Sequence, residues 1–317
     1  MKKILLSALL LPALQGLAQD ANLSQIHNAP LLLNPAQTGD FENTWRINGG
    51  YRNTSFSGMK SFSTGYLSAD VRIKGKGINA NDRLGVGVFG YLDANAGGSL
   101  KSNYVGLSLA YNKALSANGA TRLGLGAQAV LVTRSLDMNK LVFEDQFGSG
   151  GFGGTSVDAA RGGSENHFDL NVGLQLSHDA GGRWGGAIGA TAMHLTKPKE
   201  TFWGADYRVP MRYQANASAW IRLKGNDRIL LQGLYVTQEK TDYVQGGFIF
   251  SKSLKLSTTE SSLDLGVLTR NTNVVIPYLG LGWGRSKAAL TYDVTTNKSK
   301  MSGLNRQSLE IFLAHTF

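Results

Sequence analysis

Gln307-Ser308-Leu309-Glu310-Ile311-Phe312-Leu313-Ala314-His315-Thr316-Phe317 closes the chain, and its reading decides the fold. Leu309, Ile311, Leu313 and Phe317 fall on one face of an extended strand, and Ser308, Glu310, Ala314 and Thr316 on the other. Successive side chains of a strand point to opposite faces, so this ribbon has one apolar and one polar side. A terminal aromatic strand of that kind is what an outer-membrane β-barrel presents to the lipid, with Phe317 as its insertion signal. An edge strand of a soluble sandwich shares the period but not the context that follows.

The opposite end reads as an export signal. Lys2 and Lys3 precede an apolar run from Ile4 to Leu14, then Gly16-Leu17-Ala18 supplies small residues for a peptidase. The run is too short to span a bilayer as an anchor, so residues 1–18 read as a signal peptide cleaved after Ala18, leaving Gln19 first. The chain has no cysteine, which excludes a lipoprotein and a disulfide framework. No uncharged apolar run of about 18 residues follows the signal, so a transmembrane helix is not expected. The net charge is +10. The basic residues are scattered over turns and strands without a stripe interleaved with aromatics, and nucleic-acid binding is not expected.

Alternation recurs along the chain. From Met211 to Lys224 the odd positions are apolar or small, and the even positions, Trp220 apart, are polar. Phe168, Leu170, Val172, Leu174 and Leu176 alternate with Asp169, Asn171, Gly173 and Gln175. A spanning strand needs about 9–11 residues of this kind, and about fourteen such runs are present. They begin near Trp45, Ser61, Arg83, Lys101, Thr121, His167, Trp184, Met211, Arg228, Tyr243, Leu263, Asn273, Ser286 and Gln307, although the run from Arg228 to Thr237 alternates poorly. The expected architecture is an all-β, antiparallel transmembrane barrel over residues 45–317, preceded by a periplasmic segment, 19–44, able to act as a plug.

Connector lengths support the barrel. The fifth (Asp137 to Asn166), seventh (Lys197 to Pro210) and thirteenth (Thr295 to Arg306) connections are long, whereas the fourth, sixth, eighth and twelfth are tight turns of Gly, Asn and Asp. Long outer loops and short periplasmic turns follow this parity in outer-membrane barrels. The tenth connection, near Lys255 to Ser261, is longer than the rule expects.

Gly85-Val86-Gly87-Val88-Phe89-Gly90 and Gly124-Leu125-Gly126-Ala127-Gln128-Ala129 match dinucleotide-binding patterns. That chemistry needs the glycines at a strand-to-helix turn, and both runs lie inside alternating strands, so no cofactor is expected. The five histidines form no metal-ligand spacing. Glu144, Asp145, Glu165, His167 and Asp169 sit on outer loops without a nucleophile–base pair or a GxSxG elbow, so catalysis is not expected.

The inward-facing positions are Arg122, Gln128, Arg134, Asp169, Asn171, Gln175, Arg212, Gln214, Asn216, Arg222 and Glu310, joined by Lys224, Arg270, Asp264 and Asp293. They describe a charged lumen, open or plugged. The sequence leaves open whether it is a solute pore or a surface for a polypeptide.

A more specific pattern lies downstream of the signal: Gln19-Asp20, Ser24-Gln25, Leu31-Leu32-Leu33-Asn34-Pro35-Ala36, Trp45-Arg46 and Tyr51-Arg52-Asn53. Asn34 before Pro35 is suited to cap a short helical turn. With Leu84-Gly85-Val86-Gly87, Lys140 to Phe147 and His194-Leu195-Thr196-Lys197-Pro198, the chain resembles the PorP/SprF family of type IX secretion outer-membrane proteins of Bacteroidota. The resemblance implies a barrel working in protein export. One subgroup partners a large secreted adhesin, often one used in gliding, through its C-terminal domain. Another is a core component linking the outer membrane to the periplasmic ring or to a peptidoglycan-binding lipoprotein. A general diffusion porin is the remaining alternative. Carried over as candidate partner-binding residues are Leu33, Asn34, Pro35, Ala36, Arg46, Tyr51 and Arg52 of the lead-in segment, and Phe143, Asp145, Gln146, His194, Thr196 and Pro198 at the bases of the outer loops.

Overall fold

The computed structural model describes residues 22–56, 61–75, 77–95, 97–141, 143–148, 151–152, 156–157, 162–200, 207–256, 259–296 and 306–317. The signal peptide, its cleavage site and Gln19 lie outside these residues. Fourteen strands close into one antiparallel barrel. They are β1 (Trp45–Phe56), β2 (Phe62–Ile73), β3 (Arg83–Asn95), β4 (Leu100–Ala114), β5 (Thr121–Leu136), β6 (Gly163–Asp179) and β7 (Trp184–Met193) in the first half. The second half holds β8 (Arg212–Arg222), β9 (Arg228–Gln238), β10 (Thr241–Leu256), β11 (Thr259–Arg270), β12 (Val274–Trp283), β13 (Ser286–Thr295) and β14 (Arg306–Thr316). Each strand pairs with its sequence neighbours, and β1 pairs with β14 from Arg46↔Thr316 to Phe56↔Arg306, which leaves no open edge.

The terminal strand behaves as its alternation predicts. Leu309, Ile311 and Leu313 are 43–60% exposed on the lipid-facing wall, whereas Ser308 and Glu310 are buried inside. Phe317 also faces outward, and its N–H donates to Trp45 O at 2.9 Å. The same outward band recurs on β4 through Val105, Leu107 and Leu109. In water this surface would be a liability; in a bilayer it matches the solvent.

Both chain ends of the barrel lie at one mouth, together with the connections after β2, β4, β6, β8, β10 and β12. By the loop-length rule that mouth is periplasmic. Its turns use Gly119 (φ 69°) and Gly284 (φ 56°), where a left-handed backbone is required. The tenth connection obeys the rule after all: β10 and β11 extend to Leu256 and from Thr259, leaving only residues 257–258 between them. The connection after β2, residues 74–82, is the longer one at this mouth.

Two further expectations are corrected. Lys224 lies in a periplasmic helical turn, Lys224–Asn226, rather than on the lumen wall. The lumen itself is not uniformly polar. Tyr66, Phe89, Tyr91, Val130, Val132, Leu234, Val236, Ile249, Tyr278 and Phe312 point inward and are buried, because an internal segment covers them. This accounts for β9, whose alternation fails because it is apolar on both faces: Leu231 and Tyr235 meet lipid, Leu234 and Val236 meet the plug. Trp220, the exception on β8, turns inward over Gly185 of β7.

Candidate functional site

The segment before β1 runs back up the lumen. It is built from a 3₁₀ turn Ile26–Asn28, a single helical turn α1 (Pro30–Leu33) and a second 3₁₀ turn Pro35–Gln37. Leu23, Ile26, Ala29, Leu31, Leu33, Asn34 and Ala36 are each 7% exposed or less, most of them near zero. Prolines open both turns where a missing N–H costs nothing. Burial of this many apolar side chains at about 25 cal/mol per Å² makes the segment part of the core rather than a loose tail.

Asn34 holds the centre. Its Oδ1 accepts from Ala36 N at 2.9 Å, and its Nδ2 donates to Leu174 O at 3.0 Å and Asn216 Oδ1 at 3.3 Å. Around it the wall is cut away. A side chain at Gly85 would meet the backbone of Thr38, one at Gly126 the backbone of Pro35 and Ala36, and one at Gly173 the side chains of Asn34 and Pro35. Gly87 and Gly189 leave room for Leu31 and Asn34 in the same way. Gly85, Gly87 and Gly126 of the two dinucleotide-like runs are therefore clearance for a chain lying against the sheet. Gln128 and Thr191 complete the seat by donating to Leu31 O (2.7 Å) and Leu33 O (3.3 Å).

A buried charge network fixes the segment's leading end. Arg52 Nη2 meets Asp293 Oδ2 at 2.7 Å, and its Nη1 donates to Asn22 O at 2.6 Å and Ser24 Oγ at 2.7 Å. Arg270 meets Asp293 at 3.1 Å, Ser24 Oγ at 3.0 Å and Gln245 Oε1 at 3.0 Å. The Glu310 carboxylate accepts from Ser24 N (2.6 Å) and Gln25 N (2.9 Å), with Arg52 3.4 Å away. Two guanidinium groups and two carboxylates balance in charge, and the plug's own amides and hydroxyl satisfy what remains. That is the condition under which a buried ionic cluster is tolerated.

The lead-in residues thus divide. Leu33 to Ala36 form the seated plug. Arg46 ties Gln37 O (2.9 Å) to Asp70 (2.7 Å), and Arg52 is in the network. Tyr51, next to Arg52 in sequence, faces lipid at 52% exposure. Ser24 and Gln25 belong to the quoted pattern but are not among the residues carried over as candidates, and neither are Gln245 and Arg83. Their inward parity marked the last two, but their partners lie far along the chain.

At the outer mouth the loop residues anchor loops. Asp169, on β6, accepts from His194 Nδ1 and from Thr196 Oγ1 (2.9 Å), folding the turn after β7 onto the wall. Pro198 O accepts from Val209 N at 2.9 Å. Phe143 N donates to Gln146 Oε1 at 2.9 Å, and Asp145 accepts from Ser156 Oγ (2.8 Å) and Val157 N (2.9 Å), crossing the long fifth connection. Arg134 pairs with Glu200. Beneath these loops, above α1, lies a small cavity of about 80 Å³ lined by Leu23, Leu32, Phe89, Tyr104, His194 and Arg212 among others. Asn171 and Gln214 border it, whereas Phe147 and Val157 stand exposed on the rim at 65% and 78%.

At the periplasmic mouth Arg83 pairs with Asp40 (2.8 Å) and with Glu42, and Gln175 donates to Asp40 at 3.1 Å. Arg72 and Arg122 flank this group on the inner wall. Partial burial works to raise the Glu42 carboxyl, but the Arg83 hydrogen bond and the charges of Arg83, Arg122 and Arg72 take it below its ordinary value. Arg222 directs its guanidinium to Asp179 (2.6 Å) and Gly182 O (2.7 Å), pinning the turn after β6.

A closed barrel with lipid-facing apolar walls and a seated internal plug defines an outer-membrane β-barrel protein. Residues 16–315 match the family model described as the type IX secretion system membrane protein PorP/SprF, and the chain belongs to that family. Solved structures share the architecture. The monoaromatic hydrocarbon channel CymD is 12% identical, with 92% of this chain and 93% of that chain covered at a TM-score of 0.51. A Pseudomonas aeruginosa FadL homologue is 11% identical, with 90% and 92% covered at 0.50. At such identities the likeness is one of fold alone. No curated protein matches the chain.

Proposed function

We propose that this barrel, a membrane component of the type IX secretion machinery, binds a large secreted adhesin through that protein's C-terminal domain and supports its export and retention at the cell surface without catalysis. One observation carries the reading: the lumen is filled by the chain's own N-terminal segment, which leaves the two mouths as working surfaces, and the outer one is the mouth that faces a surface protein. That mouth has loops pinned by Asp145 and Asp169, exposed apolar side chains at Phe147 and Val157, and a cavity below them. Apolar anchors entering a pocket, ringed by polar groups, are how polypeptide interfaces concentrate their affinity. A strand of the cargo pairing with the loop hairpins would add backbone hydrogen bonds. Export through a signal peptide cleaved after Ala18 belongs to the same proposal.

The test is affinity capture of the tagged barrel from mildly solubilised outer membrane, with surface proteomics of a strain lacking it. Recovery of one very large secreted protein, and loss of that protein alone from the surface, supports the reading. Loss of all export, with recovery of periplasmic ring components, replaces it by the core-linker reading, which the arginine-rich periplasmic mouth favours. Unchanged export with altered solute uptake overturns both in favour of a porin.

A further inference from the structure

The periplasmic mouth carries positive charge that is not paired among the described residues. Arg72 is the next-to-last residue of β2, Arg83 opens β3 and Arg122 is the second residue of β5, and all three share the inward parity of Asp70, Gly85 and Gly124 on the same strands. Against these three guanidinium groups stand Asp40 and Glu42, both bonded to Arg83. The guanidinium groups of Arg72 and Arg122 make no hydrogen bond or ion pair among the described residues, and Arg122 Nε is buried without a partner. Burying a donor of this kind without an acceptor is costly, and a planar guanidinium matches a carboxylate or phosphate in two parallel hydrogen bonds.

We propose that Arg72 and Arg122 form an anion-binding site at the periplasmic mouth that receives a carboxylate side chain of a periplasmic protein. A lipid headgroup is the poorer occupant, because lipid lies against the outward face of these strands and both arginines face the lumen. Glu42, at the same place and with its side chain 86% exposed, is the competing intramolecular carboxylate. The site lies at the opposite end of the molecule from the rim proposed for cargo, so the two stand or fall separately.

The experiment uses the full mature protein in detergent and a fluorescein-labelled tetraglutamate peptide, read by anisotropy at low and moderate salt. Salt-sensitive binding is expected, weakened about tenfold or more in R72Q/R122Q, partly kept in R72K/R122K, and tightened in E42Q, which removes the competitor. Arg183, in an exposed periplasmic turn, is the control. Equal loss in R183Q would reduce the site to general basic attraction and overturn the proposal. So would binding unchanged in R72Q/R122Q, provided the variant keeps the heat-modifiable mobility of a folded barrel. Should R72Q/R122Q lose capture by phosphatidylglycerol vesicles while peptide binding stays at the wild-type level, the occupant is lipid and the assignment to a protein carboxylate fails.

Discussion

Asn34 concentrates the argument at the scale of single residues. It is 0% exposed, and three hydrogen bonds tie it to its own turn, to β6 and to β8. Replacing it by alanine takes the acceptor from the Ala36 N–H and the donor from Leu174 O and Asn216 Oδ1, a loss of about 1–3 kcal/mol. The N34A protein is expected to unfold at lower urea in micelles than the wild type; an unchanged midpoint would refute the role given to this side chain. Arg52→Ala is the harsher change, because Asp293 and Glu310 would stay buried with less compensation, at about 3–5 kcal/mol. Much of this was readable in advance only in part. Asn34 before Pro35 announces a cap, and Glu310 announces an inward position, but neither announces its partner 140 or 286 residues away. Tyr51 shows the same limit, since a motif read as one unit splits across a strand's two faces.

The elements were far more legible, because a period of two is a local property. Trp45, Arg83, Thr121, Trp184 and Ser286 open strands where the alternation begins, and Arg228 opens one where it fails. The exceptions have one physical cause, the plug. It makes apolar residues welcome inside β9, and it turns glycines of β3, β5, β6 and β7 into a track for another backbone. Gly85→Ala tests that track: the added methyl meets the Thr38 backbone, which has no flexible end to yield. The expected result is faster proteolysis within residues 22–40 while the barrel keeps its heat-modifiable band; equal protection in both proteins would contradict it. The plug also carries a titratable group. Burial lowers the His27 pKa from 6.5 to about 4, and its Nε2 has no partner. The seated plug therefore binds fewer protons than the released one between these values. Its stability is complete above about pH 6.5 and declines as the pH falls toward 4. Protease sensitivity of residues 22–40 should rise over that window and flatten in H27Q; the same rise in H27Q would assign it to other groups.

For the whole molecule, closure and loop parity were both anticipated, and the count of fourteen strands is met. What could not be read was the path of the N-terminal segment, because a plug's register depends on the assembled lumen and leaves no local period. That path is what separates this barrel from a diffusion pore. A wall of Arg52, Arg270, Asp293 and Glu310 around an empty lumen would be a hydrated channel; with Ser24 and Gln25 inserted, the same groups are buried and paired. The functional proposal rests on that difference, since a closed lumen assigns the work to the two mouths. Planar-bilayer conductance of the mature protein beside a variant lacking residues 22–39 tests it most directly. The intact protein is expected to stay silent while the deletion variant, folded by its heat-modifiable mobility, opens steady channels. Steady conductance by the intact protein, equal to that of the deletion, would contradict a seated plug and return the molecule to the porins.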